Sequence, residues 1–298
     1  MQRTAYVVFA TVLLCLPAAA VGGRADLSGV DNWAIWLQAP DVDALVDATL
    51  DVVVIDYSYD GSGDREFSFA EIKRIRDSGK KVLAYLSIGE ASDFRFYWKN
   101  KWKVGSPSFI GPANPDWPGA YKAKYWKRGW WDKALRPWLD RILQAGFDGV
   151  WLDGVDSYWF WYTEGYDPIW AADRMARLVR KTAQYARERA GEGFVVCPNN
   201  GLAMLDDAST KWRNRYLADI DAVAVESLFY NYWNAEDQAY RLSKLEQYDA
   251  ADKKIFGIEY IDEAEWDDFF ADVESTGLDM VGYPAAPDRA LDELVDVN

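Results

Sequence analysis

The sequence contains no histidine among its 298 residues. This absence excludes Ser-His-Asp and Cys-His catalysis, and it excludes zinc sites built on imidazole. Proton transfer in an enzyme of this composition has to come from Asp, Glu, Tyr or Lys side chains. We therefore expect carboxylate chemistry at any catalytic site in this chain.

Cysteine is nearly absent as well, since the chain holds only Cys15 and Cys197. Cys15 lies within residues 1–20, which have the layout of a secretory signal peptide: a basic residue, an apolar run over residues 5–16, then small residues. Cleavage there leaves Cys197 alone, so we expect no disulfide within the mature chain. The apolar run is too short to span a bilayer stably, and the bulky Leu14 disfavours a lipid anchor on Cys15. The sequence thus predicts a secreted protein, extracellular or periplasmic, without stable membrane association.

Basic residues are scarce relative to acidic ones, with 33 Lys and Arg against 48 Asp and Glu and a net charge of −15. A surface of this sign repels nucleic acid and suits a neutral or cationic ligand. Aromatic residues, in contrast, make up 16% of the chain. They are numerous enough to fill a core and also to line a binding cleft.

The sequence shows no Pro/Gly/Ser-rich linker, so we expect a short lead-in over residues 21–31 and one domain over residues 32–298. Eight short apolar runs alternate with eight stretches of helical spacing, which predicts a single (β/α)₈ TIM barrel, an α/β fold, with an aromatic-rich insertion after strand 3. The predicted strands are Trp33–Gln38, Val52–Ser58, Val82–Gly89, Gly149–Asp153, Phe194–Pro198, Ala222–Ser227, Ile255–Tyr260 and Met280–Tyr283. The predicted helices are Val42–Leu50, Phe69–Asp77, Trp131–Ala145, Ile169–Ala190, Trp212–Ala218, Glu236–Asp249, Glu263–Glu274 and Pro287–Val295.

Two of these strands end in a single carboxylate, Asp153 on strand four and Glu226 on strand six. Because the carboxyl ends of all strands open at the same end of a barrel, we expect the two acids to face each other across its mouth. Glycosidic bond hydrolysis requires such a pair, one acid to donate a proton and one to attack or to activate water. We predict Asp153 and Glu226 as the catalytic residues.

Further polar and aromatic side chains follow the predicted strands and are candidates for substrate binding. Acids among them could also tune the pKa values of the catalytic pair. This mechanism requires no cofactor and no metal. The candidate substrate-binding residues are Asp56, Tyr57, Glu90, Arg95, Asp156, Tyr158, Asn200, Tyr260 and Tyr283.

Two other interpretations remain open at this point. In the first, Asp56, Glu90 and Asp153 bind Mg²⁺ at the rim of a metal-dependent barrel enzyme, since carboxylates are ligands that Mg²⁺ prefers. In the second, the chain is a carbohydrate-binding barrel that kept an aromatic cleft and lost turnover.

Four segments at predicted strand ends resemble one known family, the endo-α-1,4-polygalactosaminidases of glycoside hydrolase family 114. They are Val53–Ser58, Tyr85–Ala91 with Arg95, Tyr97 and Trp98, Gly149–Asp153, and Val225–Phe229. The resemblance covers nearly the whole mature chain and implies a secreted (β/α)₈ barrel that cleaves α-1,4-linked galactosamine polymers. It also implies that Asp153 is the nucleophile and Glu226 the acid/base. A polymer with free amines is cationic, and an acidic, aromatic cleft attracts such a substrate.

Overall fold

The computed structural model describes residues 23–230 and 232–295. The predicted signal peptide over residues 1–20, including Cys15, lies outside the described residues. Within the described part, no helix combines the length and the apolar character needed to cross a membrane. Cys197 is a free, buried strand residue.

The described residues form eleven strands, eight of which are the parallel strands of the predicted barrel. Two parallel sheets, β1-β2-β3-β7-β8 and β9-β10-β11, make up its wall, and a bridge between Asn199 and Ala224 joins them. Trp33 donates its indole N–H to the Val281 carbonyl at 3.0 Å, which links the first barrel strand to the last. The barrel prediction is confirmed. The strands are β1 (Trp33–Trp36), β2 (Val52–Ile55), β3 (Lys81–Ser87), β4 (Glu90–Ser92), β5 (Ile110–Ala113), β6 (Ala120–Ala123), β7 (Gly149–Asp153), β8 (Val195–Pro198), β9 (Ala222–Glu226), β10 (Lys254–Tyr260) and β11 (Met280–Ala285).

The helices surround the barrel, and several begin at caps visible in the sequence. Ser68 and Glu71 form a capping box at α2, and Asp167 caps α6 ahead of Pro168. A π-helical turn, Trp131–Leu135, joins α3 to α4, and a 3₁₀ turn, Glu263–Glu265, precedes α10. The helices are α1 (Val42–Asp47), α2 (Phe69–Asp77), α3 (Arg128–Trp130), α4 (Arg136–Ala145), α5 (Ser157–Thr163), α6 (Pro168–Ala190), α7 (Met204–Asp207), α8 (Thr210–Asp219), α9 (Ala235–Asp249) and α10 (Trp266–Ser275).

The predicted last helix, Pro287–Val295, is wrong, because this segment is irregular. Arg289 and Leu291 have φ values of 60° and 51°, which a right-handed helix does not allow. The Leu291 carbonyl instead accepts hydrogen bonds from the backbone N–H groups of Leu37 and Gln38 at 2.7 and 3.2 Å. The apolar residues with helical spacing therefore serve to cover the seam between β1 and β11.

Alternation along the barrel strands divides the core into two layers. Trp33, Trp151 and Phe256 point into the barrel, where the ring of Trp33 lies 5.1 Å from each of the other two. Val150 and Leu152 point outward and pack under the helices. A strand side chain two positions beyond an inward one also points inward. This alternation decides which way the residue at each strand end faces.

The insertion after β3 forms a small antiparallel sheet in the order β4-β6-β5. Most of its aromatic rings are buried in the core layer that the barrel strands share with the helices, including Trp102, Tyr125 and Trp130. Tyr121 stacks on Trp98 with 4.9 Å between ring centroids. The insertion is therefore a folded wall beside the barrel mouth, and few of its rings are free to contact a ligand.

Candidate active site

Strand alternation directs both predicted catalytic acids into the mouth of the barrel. Asp153 stands two residues beyond the inward Trp151, and Glu226 two residues beyond the inward Ala224. Both acids are the last residues of their strands and both are half-buried. The sequence interpretation of two facing acids agrees with these positions.

Asp153 is held by one hydroxyl group. Tyr85, on the neighbouring strand β3, donates to Asp153 Oδ2 at 2.5 Å. Burial raises the pKa of Asp153, the Tyr85 hydrogen bond lowers it, and the negative charge of Glu226 raises it again. The two acids therefore influence each other electrostatically.

Glu226 is held by three neutral donors. Its Oε1 accepts from the side-chain amides of Asn199 at 2.6 Å and Asn200 at 3.0 Å, and its Oε2 accepts from the Tyr260 hydroxyl at 2.7 Å. Asn200 adopts φ 58°, and its side-chain oxygen accepts from the backbone N–H of Glu226 at 3.2 Å. The Pro-Asn-Asn-Gly exit of β8 thus orients the carboxyl group at the end of β9. Asn200 and Tyr260 were predicted site residues, whereas Asn199 and Tyr85 were not.

The peptide that follows Glu226 is clamped from both sides, by two residues that we did not predict. Arg241 donates to the carbonyls of Glu226 and Ser227, the latter at 2.7 Å. Glu259 accepts from the backbone N–H groups of Leu228 at 2.5 Å and Phe229 at 2.8 Å. Burial raises the pKa of Glu259 to about 7 against the effect of these hydrogen bonds. Alternation could have indicated this role, since Glu259 points outward between the inward Ile258 and Tyr260 and is nearly inaccessible to solvent.

Asp156 lies just beyond β7, close to the catalytic pair and open to solvent. Although the residue is exposed at the rim, partial desolvation of its carboxylate between the walls of the mouth raises its pKa to about 6, and the negative charge of Asp153 contributes to that rise. In the described part of the chain, no Lys or Arg forms an ion pair with it. It is the most accessible acid of the group.

Glu90 belongs to the same acidic region but has its own cation. It stands opposite Lys122 in the pairing of β4 with β6, and the two side chains form an ion pair. Asn114 donates to both carboxylate oxygens at 3.0 and 3.2 Å. Lys122 also lies 5.5 Å from the ring centre of Phe160 on α5. Glu90 is thereby fixed at the border between the insertion and the barrel mouth.

Asp56 and Arg95 form a buried pair behind this region. Arg95 Nη1 lies 2.8 Å from Asp56 Oδ1 and 2.6 Å from Oδ2, and both side chains are almost inaccessible. Burial raises the pKa of Asp56, and the Arg95 guanidinium opposes that rise. Neither residue reaches the open cleft, so the structure places them beneath the site.

Three of the predicted substrate-binding tyrosines are buried, and their hydroxyls have partners inside the protein. Tyr57 donates to the Gly61 and Ser62 carbonyls, and Tyr158 donates to Asp207 at 3.0 Å. Tyr283 accepts from the Val295 N–H at 3.1 Å. The structure does not bring these three rings to the acids. A position at or after a strand end indicated them, but it cannot tell a ring buried in the core from one that faces the mouth.

The metal-binding alternative finds no support in this geometry. Asp56 is paired with Arg95, Glu90 is paired with Lys122, and Asp153 accepts from the Tyr85 hydroxyl. Over residues 23–230 and 232–295, no three His, Cys, Asp or Glu side chains come together as a group that could hold a metal ion.

Several exposed aromatic rings surround the carboxyl ends of the strands. Trp159 on α5 is 53% exposed and lies 4.9 Å from the Tyr162 ring. Trp233, in the connection after β9, is 88% exposed. Exposed rings beside a polar cleft are typical of surfaces that bind sugars.

The model of glycoside-hydrolase family GH114 matches residues 17–293 of the chain. An uncharacterized protein of Methanocaldococcus jannaschii is 34% identical over 273 residues, which cover 88% of this chain and 77% of that protein. An uncharacterized protein of Thermotoga maritima is 33% identical over 276 residues, which cover 89% of this chain and 83% of that protein.

Two solved structures share the fold at low sequence identity. The glycoside hydrolase domain of PelA from Pseudomonas aeruginosa superposes with a TM-score of 0.65 at 19% identity, covering 90% of this chain and 99% of that one. Aspergillus fumigatus Ega3 in complex with galactosamine gives a TM-score of 0.64 at 17% identity, covering 89% of this chain and 95% of that one.

Proposed function

The chain belongs to glycoside hydrolase family GH114, and from that premise we propose that it cleaves α-1,4-linked galactosamine-containing polysaccharide with Asp153 and Glu226 as its two catalytic acids. The observation that carries the proposal is the pair itself. Each acid ends a barrel strand at an inward position, on β7 and β9 with β8 between them, and each is oriented by neutral hydrogen-bond donors instead of a cation. A carboxylate without a cation partner stays available for chemistry.

Glu226 is proposed as the acid/base. Its Oε1 is occupied by two amide donors, so a proton would reside on Oε2, where the Tyr260 hydroxyl can accept as well as donate. In the first step this proton moves to the glycosidic oxygen as the bond from that oxygen to the anomeric carbon breaks. In the second step Glu226 takes a proton from the attacking water.

Asp153 is proposed as the nucleophile. Its carboxylate forms a bond to the anomeric carbon, and water later breaks that bond and regenerates the carboxylate. Such retention of configuration requires the two carboxyl groups to stand about 5–5.5 Å apart, whereas a gap of about 6.5–9.5 Å leaves room for a water and inverts the centre. Because Tyr85 occupies Oδ2, the other oxygen, Oδ1, is the one free to attack.

The charge of the site supports an amino sugar as the substrate. Asp153, Asp156, Glu226 and Glu90 converge on the barrel mouth, and Lys122 is the cation paired within that group. Net negative charge in a cleft raises the local concentration of a cationic polymer. The structure of Ega3, which was solved with galactosamine bound, points to the same sugar class.

The predicted signal peptide over residues 1–20 supports secretion to the outside of the cell or the periplasm. An exopolysaccharide is then a substrate that the enzyme would meet. Detection of the mature protein in culture supernatant or periplasm, with an N-terminus near residue 21, would test this part of the proposal.

The experiment that tests the activity measures reducing-end release from partially de-N-acetylated α-1,4-galactosamine polymer. The wild type, Glu226→Gln and the control Glu246→Gln, which changes an exposed residue of α9, are compared with and without EDTA. We expect equal release by the wild type and the control, no loss with EDTA, and a drop of about 10²–10⁴-fold in Glu226→Gln.

Other results of this experiment would favour one of the alternative functions or exclude Glu226. Loss of activity in EDTA that Mg²⁺ restores would favour the metal-dependent enzyme. Tight binding of the polymer without cleavage would favour the carbohydrate-binding barrel. Full activity in Glu226→Gln would remove this residue from the mechanism.

A further inference from the structure

We propose that Tyr85 is a positioning residue for Asp153, that its hydroxyl orients the carboxylate and stabilises its negative charge, and that the buried Asp56–Arg95 pair fixes Tyr85 in place. The inference rests on the proposed function in one respect, the role of Asp153 as the nucleophile. Its structural basis, the contact between the two side chains, is independent of that role.

The pairing of β3 with β7 brings Tyr85 to Asp153. Tyr85 is in register with Trp151, and Ser87 is in register with Asp153, so the tyrosine stands one inward position below the acid on the adjacent strand. Its ring spans that step, and its hydroxyl reaches Oδ2 at 2.5 Å. A hydroxyl that donates to a carboxylate forms a stronger bond than one between neutral groups.

Arg95 fixes the tyrosine from behind. Its guanidinium lies 5.7 Å from the centre of the Tyr85 ring and 4.3 Å from that of Trp138, and its Nη1 forms an ion pair with the Asp56 carboxylate. Arg95 is 6% exposed and Asp56 4% exposed, so this pair is screened from water. Separating the two side chains would leave each charge buried and unpaired, which costs free energy. The pair therefore holds Arg95 in one position against the Tyr85 ring.

The surroundings of Tyr85 keep its hydroxyl protonated, so that it acts as a hydrogen-bond donor. Burial and the Asp153 charge raise the pKa of Tyr85 well above its usual value, so the hydroxyl retains its proton throughout the range in which a carboxylate ionises. The Arg95 charge opposes that rise. The hydroxyl is therefore the donor and the carboxylate the acceptor wherever Asp153 is ionised.

The surroundings of Asp153 otherwise favour its neutral form. Burial raises its pKa, and so do the Glu226 and Glu90 charges, whereas the Tyr85 hydroxyl and the Gly154 N–H lower it. Tyr85 is thus the main side-chain contact that favours the ionised form. The charged and titratable groups around Asp153 are Tyr85 on β3, Glu90 on β4, Lys122 on β6, Asp156 before α5, Glu226 on β9, Tyr260 on β10, and Arg95 behind Tyr85.

This contact changes during the proposed reaction. When Asp153 bonds to the anomeric carbon, its negative charge is lost and the Tyr85 hydrogen bond weakens. When water releases the sugar, the carboxylate leaves as an anion and the bond is restored. Tyr85 therefore favours the release step as well as the ionised ground state, and both effects disappear with its hydroxyl.

The test compares Tyr85→Phe with a matched control, Tyr125→Phe, whose buried hydroxyl donates to the Ala171 carbonyl far from the acids. The titration of Asp153 is followed by NMR of carboxyl-labelled aspartate, and Asp153→Asn assigns the signal. We expect Tyr85→Phe to raise the Asp153 midpoint by about one to two pH units, the equivalent of one hydrogen bond to a charged group. The control should leave it unchanged.

The pH profile of kcat/KM gives the second measurement. Since catalysis needs the ionised carboxylate, the acidic limb of Tyr85→Phe should move to higher pH by the same amount, with kcat/KM reduced about 10- to 100-fold on that limb and less above it. Arg95→Lys keeps the charge but loses the planar guanidinium that packs against the Tyr85 and Trp138 rings, and it should shift the limb in the same direction by less.

Several outcomes would overturn the inference. An unchanged Asp153 titration in Tyr85→Phe removes the positioning role, and an equal shift in Tyr125→Phe shows a general loss of structure. If the acidic limb of the kcat/KM profile of Arg95→Lys coincides with that of the wild type, the buried Asp56–Arg95 pair does not fix Tyr85. If the wild type hydrolyses no galactosamine polymer, the proposed function fails, but the NMR titration still decides whether Tyr85 controls Asp153.

Discussion

The acids that precede the barrel strands and the acids around the proposed catalytic pair have opposite kinds of partner. At the amino ends of the strands, carboxylates pair with arginine: Asp221 with Arg187 at 2.6 Å and Asp148 with Arg76 at 2.8 Å. At the carboxyl ends, Asp153, Asp156 and Glu226 have no such ion pair within residues 23–230 and 232–295, and Asp153 and Glu226 accept hydrogen bonds from hydroxyls or amides.

This difference separates stability from chemistry. Breaking the ion pair of a buried carboxylate strongly destabilises the fold, because the cation then remains buried without an opposite charge. A carboxylate held by neutral donors lacks the cation that would fix it in the ionised form, so it stays free to accept or donate a proton. The pairing pattern therefore indicates which acids serve the fold and which serve a reaction.

The sharpest way to break this comparison is a crossed pair of substitutions. Asp153→Asn should lower kcat by about 10⁴-fold, and should leave the free energy of unfolding unchanged or slightly higher because it removes a desolvated charge. Asp221→Asn should leave kcat unchanged at a permissive temperature and lower the free energy of unfolding by about 3–5 kcal/mol. Polymer hydrolysis and urea unfolding measure the two quantities.

The crossed result is informative in either direction. If Asp153→Asn unfolds the protein, or if Asp221→Asn abolishes turnover in a folded protein, the division between the two ends does not hold.

A second prediction concerns Glu259, which is buried at the carboxyl end and accepts from backbone N–H groups. Its pKa is about 7 in the folded protein, against 4.5 for an ordinary glutamate. Between these values the folded state binds more protons than the unfolded state, so stability should fall as pH rises from 4.5 to 7. Glu259→Gln should remove up to about 3 kcal/mol of that fall.

The measurement is the free energy of unfolding at pH 4.5, 5.5, 6.5 and 7.5 for the wild type, Glu259→Gln and Glu246→Gln. The exposed Glu246 serves as the control, and its variant should follow the wild type. Parallel curves for all three proteins would show that Glu259 does not titrate in this range.

The smallest expected effect on activity comes from Trp159, an exposed aromatic ring at the carboxyl ends of the strands. Trp159→Ala should raise KM for long galactosamine polymers about two- to fivefold, the value of an exposed cation–π contact, and leave kcat unchanged. Trp159→Phe should keep most of the affinity because it keeps a ring. Steady-state kinetics on polymers and on short oligomers should show the effect with polymers alone, and equal KM values for the Ala variant and the wild type would exclude a contact at Trp159.

Much of the fold could be predicted because its signals are local. Apolar runs such as Val52–Ile55 and caps such as Ser68 with Glu71 mark elements without reference to distant residues. The two acids could be predicted for the same reason, since each closes its own strand. The failure at Pro287–Val295 has a non-local cause, because that segment bonds to residues about 250 positions earlier.

The contacts that define the site were harder to predict. Asn199 and Tyr85 act on acids of neighbouring strands, so their roles depend on register between segments far apart in sequence. Tyr57 and Tyr283 share the strand-end position of Tyr260, yet their hydroxyls bond to the backbone elsewhere and not to either acid. Sequence periodicity gives the face of a strand, but not how far a ring reaches along it.

The seam between β1 and β11 has a consequence for the order of folding. Its Trp33 to Val281 hydrogen bond joins residues 248 positions apart, and the irregular segment after β11 covers the same junction. On a ribosome, β1 emerges first and its neighbour β11 emerges last. Until synthesis is nearly complete, the barrel wall is therefore an open, curved sheet in which the edge of β1 is unpaired. Closing so large a loop is entropically unfavourable and slow. The nascent chain therefore carries an exposed strand edge for most of its translation, which is the stage at which chaperone protection matters most.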